Sequence, residues 1–210
     1  MKSRTRIIGL MSGTSLDGLD VCCVDFWEIN QQIQFELIAS ESFGYVKVFQ
    51  DRLKNANQSS NKDIESLNND FAVMMADFVK QFLKDSEWIN TVDFIASHGH
   101  TVFHEPEKGI TVQVGDGQIL AESTGIPVIN NFRIGDVKLG GQGAPLVPIG
   151  DKLLFSQYQA CLNLGGIANV SFDKNEKRIA FDIGPANIPL NYLVQEEKGL
   201  DYDKNGSLAK

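Results

Sequence analysis

The chain has no surplus of positive charge. Lysine and arginine number 19 against 27 aspartates and glutamates, giving a formal net charge of −8 and a pI near 4.9. A protein that grips duplex nucleic acid displaces counterions with a basic face, and no such cluster is visible, so nucleic acid is not an expected partner. Anionic small ligands stay open, because backbone N–H groups hold phosphate without Lys or Arg. Cysteine is scarce: Cys22, Cys23 and Cys161. An odd number with an adjacent pair makes a poor disulfide framework, so buried reduced thiols are expected. No apolar run approaches the ~20 residues of a membrane span. The start, MKSRTRIIGLMSGTS, is basic but lacks the long apolar core of a signal peptide, which predicts a cytoplasmic protein without a membrane partner.

What is present is ordinary for a globular chain: 42% hydrophobic and 22% charged over 210 residues, enough for one large or two small domains. Residues 6–12 (RIIGLMS) read as a first strand, 13–18 (GTSLDG) as turn chemistry, 19–28 as a second strand and 32–42 as a third. From Asn61 the apolar residues Ile64, Leu67, Phe71, Met74, Met75, Phe78, Val79 and Phe82 recur at threes and fours, predicting a helix capped by Asn61 or Asp63. Its Met and Phe stripe is core. The chain then alternates. Residues 92–100 read as a strand running into the loop of 98–106, a strand at 110–116 precedes a short helix at 117–125, and a strand ends at Phe132. A Gly-rich loop over 133–148, a helix near 149–156, three strands and a last helix over about 187–198 complete the reading. A meander followed by alternating strands and helices predicts α/β with a mixed sheet. The hairpin at 7–26 and the segment 161–172 share a plan of strand, Gly-containing turn and strand, a weak sign of duplicated subdomains.

Four segments carry candidate chemistry. MSGTSLDGLD (11–20) has Gly13 and Gly18 for close backbone approach, Ser12, Thr14 and Ser15 as hydroxyl donors, and Asp17 and Asp20 as candidate Mg²⁺ ligands. It is not a P-loop, and an ordinary hairpin turn is the competing reading. HGHTVFHEP (98–106) contains His98, His100 and His104, all the histidines of the chain. Without an H-E-x-x-H helix or a cysteine pair at ligand spacing, substrate contact is favoured over zinc, with a structural role as the alternative. Just before LGGQGAPLVP (139–148), Arg133 and Asp136 could contact a carboxylate and a hydroxyl, or form a surface ion pair. In FDIGPAN (181–187), Asp182 at a strand end beside N–H groups able to bind phosphate is a credible general base, and capping the next helix is the competing role.

Taken together and in this order, these segments with VGDGQILAESTGIPVINNF and CLNLGGIANVSF resemble the anhydro-N-acetylmuramic acid kinases over essentially the whole chain. LDYDKNGSLAK resembles that family's next element. The resemblance implies a ribonuclease-H-like mixed sheet with flanking helices, an actin-like ATPase fold, and two lobes: a first over 1–158 and an incomplete second over 159–210. It implies ATP and Mg²⁺, a small amino-sugar substrate and a possible homodimer. It implies phosphate binding along Gly13, Thr14, Ser15, Leu16, Asp17, Gly18, Leu19 and Asp20. Sugar contacts would come from His98, Arg133 and Gly143, and Asp182 would be the catalytic base. The pattern departs from the family at Ala186 (a glycine is usual), at Asn191 (an aspartate) and at His100 (a glutamine).

Overall fold

A computed structural model describes residues 4–13, 16–84, 86–144 and 146–210. The described chain forms two compact units, Met1–Ala144 and Pro145–Lys210. The first is built on strands β1 (Thr5–Ser12), β2 (Gly18–Ile29), β3 (Gln32–Gly44), β4 (Phe94–Ser97) and β7 (Val128–Ile129), in the order 3-2-1-4-7. β1–β2 and β2–β3 pair antiparallel, while β1–β4 and β4–β7 pair parallel. Only β2 therefore runs against the others, which is the ribonuclease-H-like mixed arrangement. Period-two alternation makes one face of this sheet apolar. Ile8 and Leu10 on β1, Leu19, Val21 and Cys23 on β2, and Ile95 on β4 are all buried.

That face is covered by α2 (Asn61–Leu83), whose buried residues Leu67, Phe71, Met75, Val79 and Phe82 follow the spacing seen in the sequence. The cap is Ser60, one residue earlier than expected: its Oγ accepts from the Asp63 N–H, and the Asp63 carboxylate accepts from the Ser60 hydroxyl in return. Phe71 is fully buried and meets Tyr45 and His100 edge-on, with Phe49 stacked beside it. Truncating so enclosed a ring costs roughly 3–5 kcal/mol in comparable cores.

Three further elements differ from the sequence reading. The loop expected at 98–106 contains a strand, β5 (His100–Glu105), paired antiparallel with β6 (Ile110–Val114). The strand expected to reach Phe132 stops at Ile129, and Phe132 instead opens helix α4 (Phe132–Lys138). The Gly-rich loop is accordingly confined to the segment between α4 and α5 (Leu146–Leu154). Helix α3 (Gly117–Thr124) agrees with expectation, capped by the Asp116 side chain and ended by Gly125 at φ 73°.

The second unit is an antiparallel meander of β8 (Ala160–Leu164), β9 (Ile167–Lys174) and β10 (Lys177–Pro185), followed by α6 (Asn187–Lys198). The second compact unit includes α5, which packs on β9 and β10. The link is polar. The Ser171 hydroxyl donates to Asp151 of α5, and the nearly buried Arg178 donates to Ser171 and pairs with Asp151 and Asp173. All three cysteines are free, but only Cys23 is fully buried, with its thiol pushed up to about 11 by desolvation.

At the end of the β1–β2 ladder away from its connecting turn, Arg6 and Asp25 stand directly opposite. Arg6 Nε and Nη2 donate to the two Asp25 oxygens at 2.6 and 2.8 Å, and Asp25 is 2% exposed. Hydrogen bonds from Arg6 hold the Asp25 carboxyl below the usual carboxylate range against the opposing cost of burial. Removing one member of such a pair strands the other, so Asp25→Ala should destabilise the first unit by about 3–5 kcal/mol in urea denaturation. Because the folded carboxyl titrates below its unfolded value of about 3.9, the pair's contribution is complete above that pH and is lost as pH falls through the folded value. A flat acid profile between wild type and variant would contradict the pair's role.

Candidate functional site

The β1–β2 connection is the first part of the site. Thr14 and Ser15 lie outside the described residues, and Gly13 and Leu16–Asp20 are inside them. Leu16 holds φ 59°, donates to the Gly13 carbonyl at 3.3 Å and accepts from Gln50 Nε2 at 3.1 Å. Gly18 serves a different neighbour from the one expected. A Cβ there would lie 2.4 Å from the Phe43 carbonyl oxygen, so its missing side chain lets β3 close on β2. Leu19 is fully buried in the core, leaving only its backbone for a ligand. Asp17 and Asp20 are exposed, and Asp20 Oδ1 accepts from the Ser42 hydroxyl at 2.5 Å.

Beneath this turn lies a buried polar chain not foreseen in the sequence. The Tyr45 hydroxyl donates to Ser12 Oγ at 2.8 Å, and Ser12 Oγ lies 2.9 Å from His100 Nδ1. Accepting from Tyr45 leaves the Ser12 proton available to Nδ1 of a neutral His100 ring. Burial supports this: it pushes the Tyr45 phenol up to about 12 and His100 below its ordinary value, with His98 contributing to the latter. His100 thus faces inward, as a satisfied core histidine.

His98 continues the β4 alternation onto the face opposite the buried Ile95 and Ser97, and the turn at Gly99 (φ 69°) reverses the chain before His100. The His98 backbone N–H continues the β1–β4 ladder to the Leu10 carbonyl at 3.2 Å, and its ring meets α4. Arg133 Nε donates to His98 Nε2 at 2.8 Å, so His98 Nε2 must carry a lone pair. The proton then sits on Nδ1, which lies 2.9 Å from the Gly99 carbonyl as donor. Desolvation lowers the His98 pKa and the nearby Arg133 lowers it further, so the neutral ring is favoured. Arg133 Nη1 donates to the Gly143 carbonyl at 2.7 Å, and the Gly143 N–H donates to Asp136 Oδ2 at 2.6 Å. The three expected sugar-contact residues are therefore joined in one hydrogen-bonded chain. The alternative of an Arg133–Asp136 surface pair does not form; both residues instead engage the peptide of Gly143.

His104, the third histidine, lies 3.2 Å from Thr111 Oγ1 through Nδ1. No group of three or more His, Cys, Asp or Glu side chains able to hold a metal ion occurs among the described residues. A cavity of about 590 Å³ on the sheet face away from α2 is lined by Met11, Asp20, Cys22, Ser42, His98 and Phe132, among others. Asp20 of the turn and His98 thus border one hollow of the first unit.

Asp182 belongs to the second unit. It is exposed on β10, opposite Asn169, just before the irregularity between Asp182 and Gly184. Two features expected around it, free N–H groups at the start of α6 and a side-chain cap on that helix, are not seen among the described residues. The N–H groups of Ala186, Asn187 and Ile188 already donate to the Gly165 and Gly166 carbonyls, so they are not free for phosphate. α6 starts without a side-chain cap, so Asp182 does not cap it.

A family model described as anhydro-N-acetylmuramic acid kinase matches residues 5–210. Relatives called anhydro-N-acetylmuramic acid kinase include one from Haemophilus influenzae, 39% identical over 96% of this chain and 54% of its own length. Another, from Gloeobacter violaceus, is 39% identical over 98% of this chain and 58% of its own. A third, from Bacillus cereus, is 35% identical over 97% and 58%. The chain spans a little over half the length of the curated relatives it matches. Among solved structures, a Ppx/GppA family member from Aquifex aeolicus aligns with a TM-score of 0.40 at 9% identity, over 90% of this chain and 54% of that one.

Gly143 holds φ 66°, and a Cβ would sit 2.7 Å from Val137 Cγ2. Gly143→Ala should therefore cost at least about 1–2 kcal/mol from the left-handed backbone alone. Urea denaturation of the first unit measures this, and unchanged stability would mean that the loop does not hold this conformation.

Proposed function

Because the chain belongs to the anhydro-N-acetylmuramic acid kinase family, we propose that it forms the phosphate turn and sugar wall of an ATP-dependent sugar kinase acting in peptidoglycan recycling. The reaction opens 1,6-anhydro-N-acetylmuramic acid with water and phosphorylates O6, giving N-acetylmuramic acid 6-phosphate. The observation that carries this reading is the chain His98–Arg133–Gly143, a half-buried guanidinium bonded to a histidine that lines the same cavity as the turn's Asp20.

Asp182 takes a proton from the attacking water as its oxygen bonds to the anomeric carbon. The C1–O6 bond breaks, O6 bonds to the γ-phosphorus, and ADP leaves. A planar guanidinium suits the lactyl carboxylate of muramic acid, since it presents paired donors at fixed spacing. Arg133 keeps donors beyond the two spent on His98 and Gly143. Phosphoryl transfer needs positioning and charge neutralisation above all, which backbone N–H groups of residues 13–20 supply in this reading. Mg²⁺ would neutralise phosphate charge when bound. The residues present fit an ion that keeps most of its waters, since Asp17 and Asp20 are exposed and no three-ligand cluster occurs among the described residues.

A second reading is favoured by the second unit's surface: these 210 residues bind sugar or phosphate without turnover. Phe181, Ile183, Leu190 and Leu193 are each more than half exposed, a bare apolar surface of the kind that another segment covers. A coupled ADP-release assay with Mg-ATP and 1,6-anhydro-N-acetylmuramic acid separates the two. A protein of the relatives' full length carrying this sequence should release ADP only with sugar, and the 210-residue chain should not. Asp182→Asn in the longer protein should lower kcat by about 100-fold or more with little change in sugar KM. Normal turnover by that variant would remove Asp182 from the mechanism.

A further inference from the structure

Asp136 lies outside the candidate sugar contacts, yet it organises the loop that holds them. Its backbone carbonyl accepts from the Leu139 N–H at 3.0 Å and the Gly141 N–H at 2.9 Å, ending α4. Its side chain folds over Gly141, where a Cβ would fall 2.2 Å from Oδ2, so any side chain there would have to displace the carboxylate. Oδ2 then accepts from the Gly143 N–H at 2.6 Å, a charge-assisted bond. The other polar group of that residue, the Gly143 carbonyl, accepts from Arg133 Nη1. Asp136 and Arg133 are one turn apart on α4 and grip the returning loop from both sides. Gly143 is buried and pressed close to Val137 and His104, so the loop has little room to shift.

We infer that Asp136 is a positioning residue for Arg133: by fixing Gly143 it fixes the acceptor that sets the guanidinium plane against His98. Asp136 touches no substrate in this account. Its effect on the sugar site rests on the kinase reading above, whereas its effect on Arg133 does not. Without the carboxylate, Gly143 loses its tether and Arg133 keeps only the His98 bond. The guanidinium then rotates more freely and meets an anionic sugar group less often in the productive pose.

Two readouts on the full-length protein test this. Hydrogen exchange of the Arg133 Nε proton, followed by NMR, should be slow in wild type and clearly faster in Asp136→Ala. In the coupled assay the same variant should raise the sugar KM about tenfold with the ATP KM unmoved. Asp136→Asn keeps an acceptor oxygen for Gly143 and should stay close to wild type on both; it also serves if the alanine variant does not fold. Unchanged exchange and KM in Asp136→Ala overturn the proposal, as does a loss in Asp136→Asn as large as in Asp136→Ala. A wild-type protein without sugar-dependent ADP release refutes the kinase reading instead, and the exchange comparison still decides the role of Asp136.

Discussion

A guanidinium nitrogen can lie 2.8 Å from an imidazole nitrogen only if that ring is neutral and its lone pair faces the arginine. The Arg133–His98 contact therefore dictates a protonation state and a tautomer, and much of the site follows from it. The proton displaced to Nδ1 needs an acceptor, which the Gly99 carbonyl provides. Gly99 can present it because φ 69° turns the chain sharply between β4 and β5, at a point where a Cβ would lie 2.5 Å from the Val114 carbonyl oxygen. That turn sends His98 to one side of the sheet and His100 to the core. Two histidines two residues apart thus hold different posts. One meets a cation, and the other closes a Tyr45–Ser12 chain under the β1–β2 turn. Each is kept neutral chiefly by burial.

The sheet supplies the rigidity these contacts require. β1 lies between an antiparallel and a parallel neighbour, so Ser12 at its end is held in register with β2 while His98 is tied back to Leu10. α2 packs Phe71 against Tyr45 and His100 from below. The turn and the His98 side of the cavity are thereby braced by the same core, although 78 residues separate Asp20 from His98 in the chain. The second unit repeats the hairpin plan at β8–β9, but spends its Gly165–Gly166 turn on the start of α6. The expected likeness of the two hairpins holds in outline and not in use.

Much of this was legible in the sequence, for identifiable reasons. α2 shows an unbroken spacing of three and four, and α3 is bounded by Asp116 and Gly125. α4 was hidden because Gly135 and the glycines after it read as loop, while its stability comes from tertiary bonds through Arg133 and Asp136 that no local pattern displays. β5 was hidden because its partner, β6, supplies the evidence of pairing that six residues alone lack. The grouping of His98, Arg133 and Gly143 came from motif order, and the bonds between them needed coordinates. The close approach of β3 to Gly18 was not legible, because its neighbour Phe43 is distant in sequence.

The most direct measurement is a long-range proton–nitrogen NMR correlation of the histidine rings at neutral pH. For His98 the account requires a neutral ring with Nδ1 protonated and Nε2 unprotonated, with the Nε2 signal shifting when Arg133 is replaced by Ala. A charged His98 imidazolium, or a neutral ring protonated on Nε2, would contradict it, because neither can accept a hydrogen bond from Arg133.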